Sequence, residues 1–338
     1  MSTAQINAGD VLLQPNPVEE IRAEDLPYKK FLRDYVRRNR PVVVTNIAPQ
    51  WPAMSKWTPE YFRQQFTDTQ VPISYSLSLP MSQFIDEMSA SSMNKPGPYM
   101  YRLFLHDHLR ELLTDLSPQS THAFPRRLAS PLMPHGFRRP DGFLKLLMGS
   151  VGSSFPSLHF DADNANATVT EIYGDKEFIL YAPEDSVNLY PNPNDPNKSL
   201  VNDLLNPDLT RFPRFQFARQ FRTVLKPGSM VYVPNRWWHT ARPLTPSISV
   251  GMNIIDRTNW SGFVHECCKS DSKLLKKLLR WSYLTGVGGL MSSMELLQEQ
   301  LPGVARALVF PAKLCPASAS VTDDPAGIVI HPKSRHIS

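Results

Sequence analysis

The chain has 338 residues, 41% hydrophobic and only 20% charged, which is apolar enough for a real core and too weakly charged for wholesale disorder. The formal charge of +5 and a pI near 9.0 are a mild basic surplus, compatible with an acidic or nucleic-acid partner but ordinarily carried as solvation. The first twenty residues, MSTAQINAGDVLLQPNPVEE, lack a basic stretch leading into an apolar one, and no run reaches the roughly 18 apolar residues that a membrane span needs. Three cysteines, two of them adjacent (Cys267 and Cys268), do not make a disulfide framework. The expectation is a soluble cytoplasmic protein with no membrane partner. The 32 prolines against 15 glycines favour many fixed turns.

In chain order, RPVVVTNI (residues 40–47) is a β-branched run bounded by Pro and Asn and predicts a strand. WTPEYFRQQF predicts a helix, with Thr58 as N-cap, Pro59 at the first helical position and Glu60 in the first turn. VPISYSLS predicts another strand, MSQFIDEMSA a short helix, YMYRLFL (99–105) an alternating strand and HLRELLTDL a helix. Residues 117–140 are rich in Pro and Arg and predict an irregular surface connection.

From residue 142 the character changes. GFLKLLMGS, SLHFDA, NATVTEIY, KEFILYAP, FRTVLKPG, SMVYVP, WWHTARPL and SISVGMNII are short strand-like segments separated by Gly, Pro or Asp, the pattern of a β-sandwich or barrel. Residues 184–220 predict a long loop inserted between two of these strands. SKLLKKLLRWSYL (272–284) has apolar residues at helical spacing with lysines on the other face, and MELLQEQL continues in that mode. The organisation expected is an α/β flanking region over 1–140, a β core over 141–256, a helical region over 257–312 and a tail over 313–338.

The chemistry concentrates in the core. His159 and Asp161 stand two apart in a strand-like segment, and alternation puts residues i and i+2 on one side of a strand. An imidazole and a carboxylate so placed can grip one metal ion, with His239 of VPNRWWHTARPL as the third ligand. Two histidines and one carboxylate on one face of an ion form the triad of non-haem Fe(II) oxygenases. An H-x-D pair alone is a weak signal; its company strengthens it. Lys176 follows the YGD turn and opens the next strand, where its ammonium can pair with the far carboxylate of a small dicarboxylic acid. Trp237 and Trp238 suit an apolar wall beside such a site. HDH (106–108) precedes a helix-like segment, where Asp107 or His108 is expected to help cap it.

These segments resemble the JmjC and cupin-8-like Fe(II)/2-oxoglutarate oxygenases, most of all the hydroxylase subgroup typified by the asparaginyl hydroxylase that inhibits the hypoxia-inducible factor. The resemblance is carried by HFD, YGDKEFILYAP, NPDLTRFPRF, LKPGSMVYVPNRWWH and SVGMNI, and spans roughly residues 35–256. It implies a mainly β fold, a double-stranded β-helix (jelly-roll) core with flanking N- and C-terminal helices. It implies Fe(II) on His159, Asp161 and His239, and 2-oxoglutarate held at its far carboxylate by Lys176 and Tyr101. Asn253 would line the co-substrate site, as would Asn166 or Asn164 and a hydroxyl from Ser157 or Ser154. In two places the chain departs from the family pattern: about two extra residues separate Asp161 from Lys176, and Pro156 displaces the hydroxyl that usually precedes the metal histidine.

The reaction implied is hydroxylation of a substrate C–H bond with O2, giving succinate and CO2 from 2-oxoglutarate. A protein or peptide side chain is the leading substrate, and a homodimer through the C-terminal helices is implied. The alternatives are a small-molecule oxygenase, a tRNA hydroxylase supported by Arg126, Arg127, Arg138 and Arg139, or a non-catalytic metal-binding cupin. Lysine demethylation is less expected, since no reader domain or zinc cluster accompanies the core.

Overall fold

Turn residues cut the middle of the chain into short strands, and these strands fall in two different sheets. The computed structural model describes residues 13–300, apart from 75, 101–102, 119, 121, 123–126, 128–131, 133–143, 156 and 270–272. The main strands are β1 (Val42–Thr45), β2 (Lys145–Gly149), β3 (Asn166–Tyr173), β4 (Lys176–Tyr181), β5 (Gln220–Leu225), β6 (Met230–Val233), β7 (Trp238–Pro243) and β8 (Ser247–Ile254). The larger sheet runs Glu20–Arg22, β1, β6, β3, β8, β2, Leu103–Phe104, and the smaller one Asn16–Pro17, β5, β4, β7. From β3 onward the chain passes larger, smaller, smaller, larger, smaller, larger, which winds it into a jelly-roll. Gly174 makes the tight turn from β3 to β4 at φ +78°, where a Cβ would stand 2.0 Å from the Pro246 carbonyl oxygen.

Strand alternation sorts the side chains. In β3, Ala167, Val169 and Glu171 face between the sheets, while Asn166, Thr168, Thr170 and Ile172 face outward. The space between the sheets is filled at one level by Val43, Ala167, Val231, Phe178, Leu180 and Ala241. The outer face of the larger sheet is covered by the N-terminal region: Phe31 and Tyr35 pack on Val42, Val44 and Tyr232, and Trp57, Phe62 and Phe84 join the cluster holding Leu146, Met148 and Val250. Helix α1 (Pro59–Gln65) starts as the sequence predicts, the Thr58 hydroxyl accepting from the Tyr61 N–H at 3.1 Å. Helix α2 (Met81–Ser89) buries Met81, Phe84, Ile85 and Met88 on one face.

Several expectations are corrected. Residues 157–162 are not a regular strand: His159 makes only isolated bridges, to His239 and to Lys198. VPISYSLS divides into two short strands, Gln70–Pro72 and Ser78–Pro80, paired as a hairpin. HLRELLTDL is largely a 3-10 turn, Arg110–Leu116, and no side chain caps it or the preceding turn Leu105–His108. The insertion is no open loop. It holds a small hairpin (Pro191–Asn192 with Asp195–Ser199) and two 3-10 turns, and it buries Leu189, Val201, Leu204, Phe212 and Phe215 against Ile179, Tyr181 and Trp238 on the outside of the smaller sheet. Roughly 1.5–3 kcal/mol for each such side chain explains why it is held.

Beyond the core, α3 (Trp260–Lys269) packs against one long helix, α4 (Leu274–Gln300). The Trp260 indole N–H donates to the Leu284 carbonyl at 3.0 Å, and Gly288 lets the ring approach: a Cβ there would stand 1.9 Å from Nε1. Arg127 is fully buried, ion-paired with Glu295 at 2.9 Å and stacked over Trp260, so it is not available to nucleic acid. Arg126, Arg138 and Arg139, and the tail over 313–338, lie outside the described residues. No helix among the described residues is long and apolar enough to cross a membrane.

Candidate metal centre

His159 and His239 face each other across a two-residue antiparallel bridge, His159 N–H to His239 O at 3.1 Å and His239 N–H to His159 O at 2.6 Å. Each ring is then fixed by its own neighbour. His159 Nδ1 lies 3.0 Å from the Ser157 carbonyl, and His239 Nδ1 lies 3.0 Å from the Trp237 carbonyl. A nitrogen facing a carbonyl must carry the proton, so both Nε2 atoms keep a lone pair for a cation. Asp161 Oδ2 is 3.9 Å from His239 Nε2, and the three ligand atoms lie within 4.8 Å of one another. Donors at these separations are the set that would hold one divalent cation between them.

The electrostatics suit a cation. Burial, then repulsion from His239, pushes His159 down to about 3, so it is neutral at physiological pH. Burial opposes ionisation of Asp161, but His239, Lys145, His159 and the Asn253 amide together outweigh it and hold the carboxyl below its usual range. Lys145 Nζ donates to Asn253 Oδ1 at 2.6 Å. Lys145, from β2, and Asn253, from β8, therefore stand beside the metal carboxylate.

Rings connect this end of the interior to Lys176. Phe155 stacks on His159 (centroids 4.6 Å, planes 23° apart), Tyr99 meets Phe155 edge-on at 5.8 Å, and Lys176 Nζ sits 5.9 Å over the Tyr99 ring. In the β4–β7 ladder His239 faces Leu180 and Pro243 faces Lys176, so both residues share the inward face, with Leu180 and Lys176 on one strand four positions apart. Lys176 is fully buried rather than an exposed turn lysine. Its ammonium touches the Ser249 hydroxyl and lies 3.7 Å from Glu171 Oε2. Glu171 is fully buried too, and neither of its oxygens has a hydrogen-bond partner. Burial pushes the Glu171 carboxyl up to about 7 against the pull of Lys176, and burial lowers Lys176 against the pull of Glu171.

The other expected contacts fall elsewhere. Tyr101 lies outside the described residues; the tyrosine seen at Lys176 is Tyr99. Asn166 points outward from β3, donating to Asp256 at 2.9 Å and accepting from the Asn235 N–H at 2.8 Å, so strand alternation removes it from the interior. Asn164 likewise ties Asn235 to the Asn259 carbonyl. Ser157 serves through its main-chain carbonyl, and Ser154 is exposed. Of the two tryptophans, Trp237 packs between the sheets with its N–H on the Asn39 carbonyl, and Trp238 packs outside with its N–H on Ser186. Sequence reasoning missed Lys145, Glu171, Tyr99 and Phe155. For Lys145 and Glu171 the signal was a charged residue at an inward position of an apolar strand.

The family model of the cupin-like domain matches residues 28–255, a span that includes His159, Asp161, His239, Lys145, Lys176, Glu171 and Asn253. Among curated proteins, the tRNA wybutosine-synthesizing protein 5 of Danio rerio is 29% identical over 253 residues, covering 69% of this chain and 73% of that protein. The lysine-specific demethylase JMJ30 of Arabidopsis thaliana is 30% identical over 240 residues, 67% of this chain and 52% of that protein. The lysine-specific demethylase 8 of Danio rerio is 27% identical over 250 residues, 70% and 58% respectively, so the chain spans little more than half the length of either demethylase.

Proposed function

Because the chain belongs to the cupin-like domain family, we propose that it is an Fe(II)- and 2-oxoglutarate-dependent oxygenase that hydroxylates a C–H bond of a protein or peptide side chain. The observation that carries this reading is the convergence of His159, Asp161 and His239 with both Nε2 lone pairs free of protein hydrogens. Iron with 2-oxoglutarate and O2 would supply the oxidising chemistry, with succinate and CO2 as co-products. The chain's own part is positioning. The Ser157 and Trp237 carbonyls hold the imidazoles in one tautomer, Asn253 and Lys145 orient Asp161, and Lys176 meets the far carboxylate of the co-substrate. Phe155 and Tyr99 wall the space between and keep water from it.

The test is succinate release from 2-oxoglutarate by the purified protein with and without Fe(II). Iron-dependent release supports an oxygenase; metal binding with no release under any condition favours a non-catalytic cupin. A second reading, an RNA substrate, is favoured by one observation: the chain covers 73% and 78% of the tRNA wybutosine-synthesizing protein 5 of Danio rerio and Gallus gallus. Affinity for RNA that falls steeply with salt would favour it over a peptide. The partner proposed for α4 is a second copy of this chain, since Leu274, Leu275, Leu278, Leu279 and Trp281 are all at least half exposed along one helix. Light scattering of wild type and Leu275→Glu/Leu279→Glu checks this; a monomeric wild type rejects it.

A further inference from the structure

Lys176 is not an open anion receptor. Its ammonium already has a buried carboxylate 3.7 Å away, and neither oxygen of that carboxylate, Glu171, has a hydrogen-bond partner. The surroundings are dry: both side chains are fully buried, with Leu225 and Pro243 as the cross-strand neighbours of Lys176. The largest charges acting on Glu171 are Lys176 from β4 and Asp175 in the turn, whose carboxylate is itself paired with Lys226. Tyr99 brings a phenol and β8 brings the Ser249 hydroxyl, directly opposite Glu171 in the ladder.

A dicarboxylate that reaches Lys176 therefore brings a second carboxylate to a site with one ammonium. Two carboxylates a few ångströms apart out of water cannot both stay ionised. We propose that Glu171 is a co-substrate-binding residue that acts as a carboxylic acid: it takes one proton from solvent as the far carboxylate arrives, and its new O–H becomes a donor to the guest. The balance is one guest carboxylate, one Glu171 carboxylate and one solvent proton giving one guest carboxylate hydrogen-bonded to one neutral Glu171. The proposal rests on the oxygenase reading of the site, in which Lys176 meets that carboxylate. Burial places the Glu171 carboxyl within reach of protonation near neutral pH, which is consistent with the exchange.

The experiment is calorimetric titration of the Mn(II)-loaded full chain with 2-oxoglutarate, without O2, in phosphate and in Tris between pH 6.5 and 9. The difference in heat between buffers counts protons. The expected result at pH 8.5 is uptake of about one proton per 2-oxoglutarate, with Kd weakening about tenfold per pH unit once Glu171 is ionised in the free protein. 2-Oxobutyrate, which lacks the far carboxylate, should bind without uptake, and Glu171→Gln should bind 2-oxoglutarate without uptake and with a flat pH profile. Binding of 2-oxoglutarate to wild type with no proton taken up overturns the proposal and leaves the oxygenase reading standing. Uptake that persists in a folded Glu171→Gln overturns it as well. Failure of the metal-loaded wild type to bind 2-oxoglutarate at all removes the oxygenase reading and this proposal together. Should Glu171→Gln not fold, the wild-type proton count with the two acids still decides.

Discussion

At the metal end of the barrel each imidazole is half satisfied before any ion arrives: one nitrogen donates to a main-chain carbonyl and the other waits. At the Lys176 end, further along the same face, the charges lean mainly on each other, an ammonium and a carboxylate with the Ser249 hydroxyl on the ammonium. The difference teaches what each end is organised to receive. Rings held by fixed backbone carbonyls keep their aim whether or not a ligand is present. A mutual ion pair must be re-partnered when a guest carboxylate arrives, so that end is the one where binding, protonation and stability are linked.

The sharpest way to break this contrast is to remove a ligand. Asp161→Ala or His239→Ala should lower succinate production by about a thousandfold or more, since the metal contributes several kcal/mol of barrier lowering. The melting temperature of the metal-free protein should hardly move, because no buried charge is stranded; circular dichroism during melting checks it. Surviving turnover in either variant rejects the triad. The other end should answer differently. Lys176→Ala strands Glu171 in the core and should cost about 3–5 kcal/mol in urea unfolding, while Lys176→Met combined with Glu171→Leu should recover most of it. The pH sign follows from a carboxyl raised above its unfolded value: its contribution to stability is complete below the unfolded pKa and is lost as pH rises through about 7. Wild type should therefore lose melting temperature relative to Glu171→Gln between pH 5 and pH 8. An unchanged gap would mean that Lys176 compensates the carboxylate fully.

Between these extremes lies Asn253. Its oxygen accepts from Lys145 and its amide supports Asp161, so Asn253→Ala should weaken metal binding by about 10–100-fold with little change in the affinity for 2-oxoglutarate at the far carboxylate. Competition with a metallochromic chelator measures it.

The contrast also explains what could be read from the sequence. Elements written by local rules were legible: the Thr58–Pro59 helix start and the strand runs VVVT and KEFILY. The HxD pair was legible as residues, though the geometry invoked for it was not the one used. Residues 157–162 make no strand, and the two ligands converge because His159 bridges His239 across 80 positions of sequence. Glu171 and Lys145 stood out only as charged residues in apolar strands, and their meaning depends on three strands in register. Ser249 stands opposite Glu171, Gly251 opposite Lys145, and neither pairing can be inferred before the sheet order is known. Asn166 shows the converse, an attractive residue type near the motif that one step of alternation turns outward to Asp256.

The smallest effect expected separates ring packing from ligand aim. Phe155 covers the face of His159 at 4.6 Å, but the Ser157 carbonyl already fixes that imidazole. Aromatic pairs contribute about 0.5–1.5 kcal/mol beyond area, so Phe155→Leu, which keeps much of the apolar volume, should weaken metal binding only about two- to tenfold. Phe155 also carries Tyr99, which in turn lies under Lys176. If the two ends are independent, Phe155→Leu should leave the affinity of the Mn(II)-loaded protein for 2-oxoglutarate within about twofold. An equal loss in both affinities would instead show that the ring stack couples them, because a packing change at one end would then be felt as misalignment at the other.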